Sequence, residues 1–161
     1  MAPFRLTVSC PHTGARAGEL VTPHGTVPTP AFAPVASAGV VKTLSPQELR
    51  GVGVGVLLTN AYHLMLRPGL EAIAALGGLH RFMAWDGPII SDSGGYQVFS
   101  LARMVKVSDE GVAFRSHTDG SLHSLSPEGA VVLQEGLGAD IILTLDQPSA
   151  YGVGREQAEA A

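Results

Sequence analysis

Apolar and polar residues alternate from Phe4 to Ser9, the two-residue period of a strand with one wet face. Two further short runs, Glu19 to Val21 and Thr26 to Val27, flank the turn-forming Pro23, His24 and Gly25, so the pattern predicts an antiparallel N-terminal hairpin. Beyond the prolines at 28 and 30, Ala31 to Val35 is apolar and predicts a first buried strand. Ser45, Pro46 and Glu48 then announce a helix. Serine caps the free amides, proline fits the first helical position, and a glutamate three residues after the serine completes a capping box.

The next apolar run, Gly53 to Thr59, leads into NAYHLMLRPG and a short predicted helix from Leu70 to Leu76, stopped by Gly77 and Gly78. A third strand, Pro88 to Ser91, ends at DSGGYQ, and the more polar stretch from Lys106 to Leu125 predicts a small antiparallel insertion turning at Asp119 and Gly120. Ser126, Pro127 and Glu128 open a second capped helix through Gln134, closing at Gly136 or Gly138. Asp140 to Leu145 is a fourth apolar run, ending at Asp146, and GREQAEAA begins another helix. Apolar strands separated by helices imply a parallel sheet, because parallel neighbours need crossovers and helices cover both faces. The pattern suits a barrel or an open sheet alike.

Composition narrows this only a little. Of 161 residues, 45% are hydrophobic and 15% charged, enough for one sizeable core, and 20 glycines with 11 prolines favour many short elements over long bundles. The net charge of −4 supplies no global basic field for a polyanion, so a nucleic acid would need a local patch or another domain. Cys10 is the one cysteine, which excludes an intrachain disulfide and a cysteine-rich zinc site. With no signal peptide and no membrane-spanning run, the expectation is a soluble, cytoplasmic protein.

Asp92 and Asp146 each follow a predicted parallel strand, at the end where α/β folds build their sites. Two carboxylates there could divide acid/base or nucleophilic work, or each could simply cap the following turn. DSGGYQ adds a serine, two glycines and an aromatic to Asp92, a tight loop whose backbone a flat group can approach.

GELVTPHGTVPTPAFAPVAS, LLTNAYHLMLRPG, IISDSGGYQVFSL and GADIILTLD occur in that order within the stretch from about Leu6 to Asp146. Together they resemble the N-terminal half of the tRNA-guanine transglycosylases, also called queuine tRNA-ribosyltransferases, and DSGGYQ resembles the bacterial form. The resemblance implies an α/β fold of partial (β/α)8 TIM-barrel type, carrying the N-terminal hairpin and the small β insertion. Residues 1–161 would be the N-terminal part of one catalytic barrel domain whose C-terminal half is absent. The implied reaction exchanges guanine at the tRNA wobble position for a 7-deazaguanine precursor of queuosine, through a covalent ribosyl-enzyme. The target base is flipped from the anticodon loop, since the bond to ribose is inaccessible while the base stays stacked.

By the same resemblance Asp92 is the general acid/base, and Ser93 and Tyr96 line the base pocket, with the Tyr96 ring stacking on the flipped base. Asp146 accepts hydrogen bonds from the base's donor edge, and Asn60 lies near the ribose and pocket, or is a turn residue. The family's nucleophilic aspartate and its zinc ligands, three cysteines and a histidine, fall beyond position 161. The implied partners are the tRNA anticodon loop, guanine or a 7-deazaguanine, and a second copy in a homodimer, with no membrane. Gln147 and Pro148 depart from the glutamate and cysteine that often follow the base-binding aspartate.

Other features read more plainly. GVGVG at 51–55 precedes a strand instead of following one, unlike a dinucleotide loop. His63, His117 and His123 lack metal-like spacing and are expected at the surface or in loops. Arg103, Lys106 and Arg115 are expected on a solvated face, and Trp85 and Phe82 as core or loop anchors. Two other functions fit parts of the pattern: a non-catalytic fragment or subunit binding tRNA or a partner, and a barrel hydrolase using both aspartates on a sugar. Retention of Asp92, Ser93, Tyr96 and Asp146 together argues against a decayed site.

Overall fold

The computed structural model describes residues 3–159. The N-terminal element is a three-stranded antiparallel meander where the pattern predicts a hairpin: β1 (Phe4–Ser9), β2 (Arg16–Thr22) and β3 (Gly25–Thr29) pair in sequence order. The extra strand arises because Thr22 faces Gly25 across a two-residue turn holding His24.

The centre of the fold is a parallel sheet of β4 (Leu57–Asn60), β5 (Ile89–Asp92) and β9 (Ile141–Ile142), adjacent in that order. The predicted strand at Ala31 to Val35 does not form. One parallel bridge, Val35 to Leu58, is all that remains, with Leu58 N donating to Pro34 O and Ala36 N to Leu58 O. Prolines at 28, 30 and 34 remove the amides a longer ladder would use. The predicted strand from Asp140 to Leu145 shortens to Ile141–Ile142 for a different reason. The buried Gln134 side chain donates to Leu143 O at 2.9 Å and shares the Leu143 amide with Ser91 O, each accepting at 3.2 Å, so the carbonyl is lost to a further ladder.

Helices fill the crossovers. α1 (Pro46–Gly51) carries the expected capping box, in which Ser45 and Glu48 each bond the other's backbone amide. Between β4 and β5 come α2 (Ala61–Leu66), α3 (Leu70–Ala75) and α4 (Leu79–Met83), of which the pattern predicted only α3. Between β5 and β9 lie α5 (Gly95–Leu101), also missed, then an antiparallel sheet of β6 (Arg103–Ser108), β7 (Gly111–Arg115) and β8 (Leu122–Leu125), then α6 (Pro127–Leu137). Gly138, at φ 81°, ends α6 in the left-handed conformation that suits glycine. α7 (Arg155–Glu159) follows.

One buried cluster joins Leu49, Leu57, Leu64, Ile73, Leu79, Trp85, Ile89 and Leu137 beneath the parallel sheet. A second, of Tyr62, Val98, Val112, Phe114, Leu125 and Ala130, fastens the β6–β8 sheet to α2, α5 and α6. The architecture is mixed α/β with three small sheets, and no barrel closes among the described residues. None of these helices is long and apolar enough to cross a membrane.

Candidate active site

Parallel pairing of β4 with β5 sets Asn60 opposite Asp92, both at the C-terminal ends of their strands. Asn60 turns the chain from β4 into α2: its Oδ1 accepts from His63 N at 3.3 Å, capping the helix. Its other group, Nδ2, donates to Asp92 Oδ2 at 2.6 Å. A short amide-to-carboxylate bond between two strand ends holds the Asp92 carboxyl in one orientation. Asp92 Oδ1 accepts only a long bond, from Gly94 N at 3.4 Å, and the residue is half-buried, so lone pairs remain for a ligand.

Ser93 is fully buried just beyond β5, and its Oγ donates to Asp146 Oδ1 at 2.9 Å. The same oxygen accepts from Gly95 N at 3.3 Å. Ser93 therefore ties the strand end carrying Asp92 to the segment after β9, where Asp146 is exposed. The two glycines have a use that the sequence did not reveal. Gly94 adopts φ 90°, and a Cβ there would sit 2.6 Å from Tyr62 Cβ, while a Cβ on Gly95 would collide with the carbonyl and carboxylate oxygens of Asp146. What approaches this backbone is the protein itself: Tyr62 on one side, Asp146 on the other.

Asn60, Asp92, Ser93 and Asp146 are thus brought together as two side-chain pairs that share the adjacent residues Asp92 and Ser93. Tyr96 is not bonded to them. It lies on the first turn of α5, 60% exposed as a residue and so open to a stacking partner. A cavity of about 160 Å³ opens beside the group, lined by Gly95, Phe99, Val107, Leu145 and Asp146 among others. Sequence reasoning passed over Gln97 and Tyr62. Gln97, one residue beyond Tyr96, has its Oε1 buried with no donor, an acceptor suited to a ligand N–H or O–H. The buried Tyr62 supports Gly94 from below and bonds His117 Nδ1 through its hydroxyl at 2.7 Å.

The histidine expectation needs correction. His63 is half-buried, and with Tyr62 and His117 it forms an aromatic cluster beside the site, its ring perpendicular to that of His117 with centroids 6.0 Å apart. Burial, then the charge of His117, push the His63 pKa down. His117 itself is exposed, as are Arg103, Lys106 and Arg115, and Trp85 is buried in the core as expected.

Chemically, the group offers an oriented carboxylate with free lone pairs, a second acceptor carboxylate, a buried hydroxyl and an open aromatic face. This set suits a planar ligand rich in N–H donors, with one carboxylate free to move a proton. A zinc centre of three cysteines and a histidine does not fit the chain, whose single Cys10 lies on the β1–β2 turn.

A sequence model of the family described as "Queuine tRNA-ribosyltransferase" matches residues 10–161. A protein of that name from Pelotomaculum thermopropionicum is 56% identical over 98% of this chain and 43% of its own length. One from Enterococcus faecalis is 56% identical over 89% of the chain and 38% of its own length. One from Thermosynechococcus vestitus is 53% identical over 97% of the chain and 41% of its own length. The chain spans about two fifths of the length of these curated relatives. With the four motifs in order, and Asn60, Asp92, Ser93 and Asp146 from three of them gathered at one end of the parallel sheet, the chain belongs to the queuine tRNA-ribosyltransferase family.

Proposed function

We propose that this chain supplies the base pocket and the acid/base carboxylate of a bacterial-type tRNA base-exchange enzyme acting at the wobble position. The observation that carries the reading is the convergence of Asp92 and Asp146 at one end of the sheet, each held by a neutral partner, Asn60 and Ser93.

In the proposed reaction a carboxylate from outside these residues attacks the ribose carbon, and the bond from that carbon to guanine breaks. The electron pair stays with guanine, which takes a proton from Asp92 and leaves a covalent ribosyl-enzyme. The incoming 7-deazaguanine returns its proton to Asp92 and attacks the same carbon, freeing the nucleophile. Asp146 accepts hydrogen bonds from the base's ring and amino nitrogens, Ser93 holds Asp146 in place, and the exposed Tyr96 ring stacks on the base. Asn60 keeps the Asp92 carboxyl aimed, leaving Oδ1 for the proton.

The in-order parallel strands support completion into a (β/α)8 barrel by the rest of the relatives' length. That remainder would bring the nucleophile, the family's zinc centre, further tRNA contacts and a homodimer interface, acting in the cytoplasm. The test is exchange of labelled guanine into tRNA by the 161-residue chain, alone and with the remaining part of a relative expressed separately. Exchange is expected only in the mixture. Robust exchange by the chain alone would refute the division of labour.

A further inference from the structure

At the opposite end of the parallel strands, three side chains meet that the proposed chemistry does not use. Asp140, immediately before β9, has its carboxylate 1% exposed. Its Oδ1 lies 2.7 Å from His24 Nδ1, on the β2–β3 turn, and its Oδ2 lies 3.1 Å from His80 Nε2, on α4. Ile89 N, at the start of β5, donates to Oδ2 at 2.8 Å and fixes the carboxylate's orientation. The two imidazoles stack with centroids 3.5 Å apart and planes 18° from parallel.

We propose that His24, His80 and Asp140 form a site for a divalent transition-metal ion, zinc being the best match to the ligands, which clamps the N-terminal meander and α4 to β9. The donor atoms of the three residues all lie within 4.8 Å of one another. Ligands 2.0–2.2 Å from one tetrahedral ion stand about 3.3 Å apart, close to the separations of 2.7 and 3.1 Å, and the two stacked rings must tilt apart for both in-plane lone pairs to meet at one ion.

The electrostatics favour a cation over two imidazolium partners. A carboxylate this buried requires compensation, and its ion-pair partners among the described residues are these two rings alone. Stacked at 3.5 Å, both rings cannot comfortably carry charge. The set is two imidazoles and one carboxylate, nitrogen and oxygen donors of the borderline kind. Ile89 N supplies the outer-shell bond that aims the carboxylate. His24 is 42% exposed, which gives an ion its way in and leaves room for a water as fourth ligand.

The site is distinct from the family's cysteine-rich zinc centre, which this chain cannot build. It also stands apart from the base-exchange reading, lying at the end of the strands where metal would act as a cross-link. The residues it joins are 116 and 60 positions apart in the chain.

Cobalt(II) is the probe, added to the chelator-stripped 161-residue chain and followed by visible absorption. One ion per chain with the intense bands of a four-coordinate centre is expected. His24→Ala, on an exposed turn, and His80→Gln should each weaken binding by about tenfold or more, as loss of even an outer-shell partner can. His117→Gln should bind as wild type. Zinc should raise the thermal midpoint of wild type and not of His24→Ala, whose metal-free circular dichroism should match wild type. Absence of the cobalt spectrum in wild type, or an undiminished spectrum in His24→Ala, would overturn the proposal.

Discussion

Asn60 and Asp92 stand opposite each other across two adjacent parallel strands, and the Asn60 amide donates to the Asp92 carboxylate at 2.6 Å. The same asparagine caps α2 through its other side-chain atom. One residue thus ends a strand, starts a helix and orients a carboxylate.

These duties separate by substitution. Asn60→Ser keeps a capping oxygen but cannot span to Asp92, so thermal stability should hold within a few tenths of a kcal/mol while base exchange by the full-length protein falls. Asn60→Ala should lose both, with a stability cost of about 1 kcal/mol by denaturant titration. Equal exchange rates for Asn60→Ser and wild type would show that the bond to Asp92 has no role in turnover.

Gly95 is the point where the loop meets Asp146. Gly95→Ala should force the Asp146 segment outward and cost about 1–3 kcal/mol, the usual penalty for overpacking, along with weaker binding of free guanine. Gly55→Ala is the matched control, because nothing lies within 4 Å of a Cβ there. Calorimetric titration with guanine and chemical denaturation read the two effects. Similar results for both alanines would mean that the contact with Asp146 is inconsequential.

His63 should make stability fall with acid. Its folded pKa lies below the ordinary 6.5, so the unfolded chain binds more protons under that pH. The full contribution is present above pH 6.5, shrinks as pH drops toward the folded value, and is constant below it. His63→Gln should flatten this part of the stability profile relative to wild type. A profile of unchanged slope would place the dependence in other groups.

The sequence made the framework legible wherever local chemistry was sufficient. The capping box at Ser45 and Glu48 and the Ser126–Pro127 start of α6 formed as the spacing implied. The failures fall where long-range partners decide. Ala31 to Val35 is apolar enough for a strand, yet only the Val35–Leu58 bridge forms beside β4. The predicted strand from Asp140 to Leu145 stops at Leu143, whose carbonyl is taken by a glutamine nine residues back and whose amide is shared between that glutamine and Ser91 O. α2 and α5 went unread because a cap by Asn60 and a start at Gly94 follow strand ends without a break. At the site, the motifs pointed to Asp92, Ser93 and Asp146, and the structure joins them through pairs the motifs did not specify. The links from Asn60 to Asp92 and from Ser93 to Asp146 depend on strand register, which no local spacing encodes.

Loss of the Ser93 hydroxyl should therefore act on Asp146. Ser93→Ala removes a hydrogen bond to a carboxylate, a change of about 1.5–3 kcal/mol, and should weaken guanine binding with tRNA affinity nearly unaffected. Asp146→Ala should produce the same pattern, larger. If Ser93→Ala weakened tRNA and guanine alike, the serine would be acting on the loop as a whole.

The most direct test of the account is Asp92→Asn in the full-length protein, assayed by labelled-guanine exchange into tRNA. The amide can accept from Asn60 only after reorientation and can carry no proton between bases, so exchange should fall by about a hundredfold or more with folding and tRNA affinity retained. Turnover near the wild-type rate would contradict the assignment of Asp92 as the acid/base.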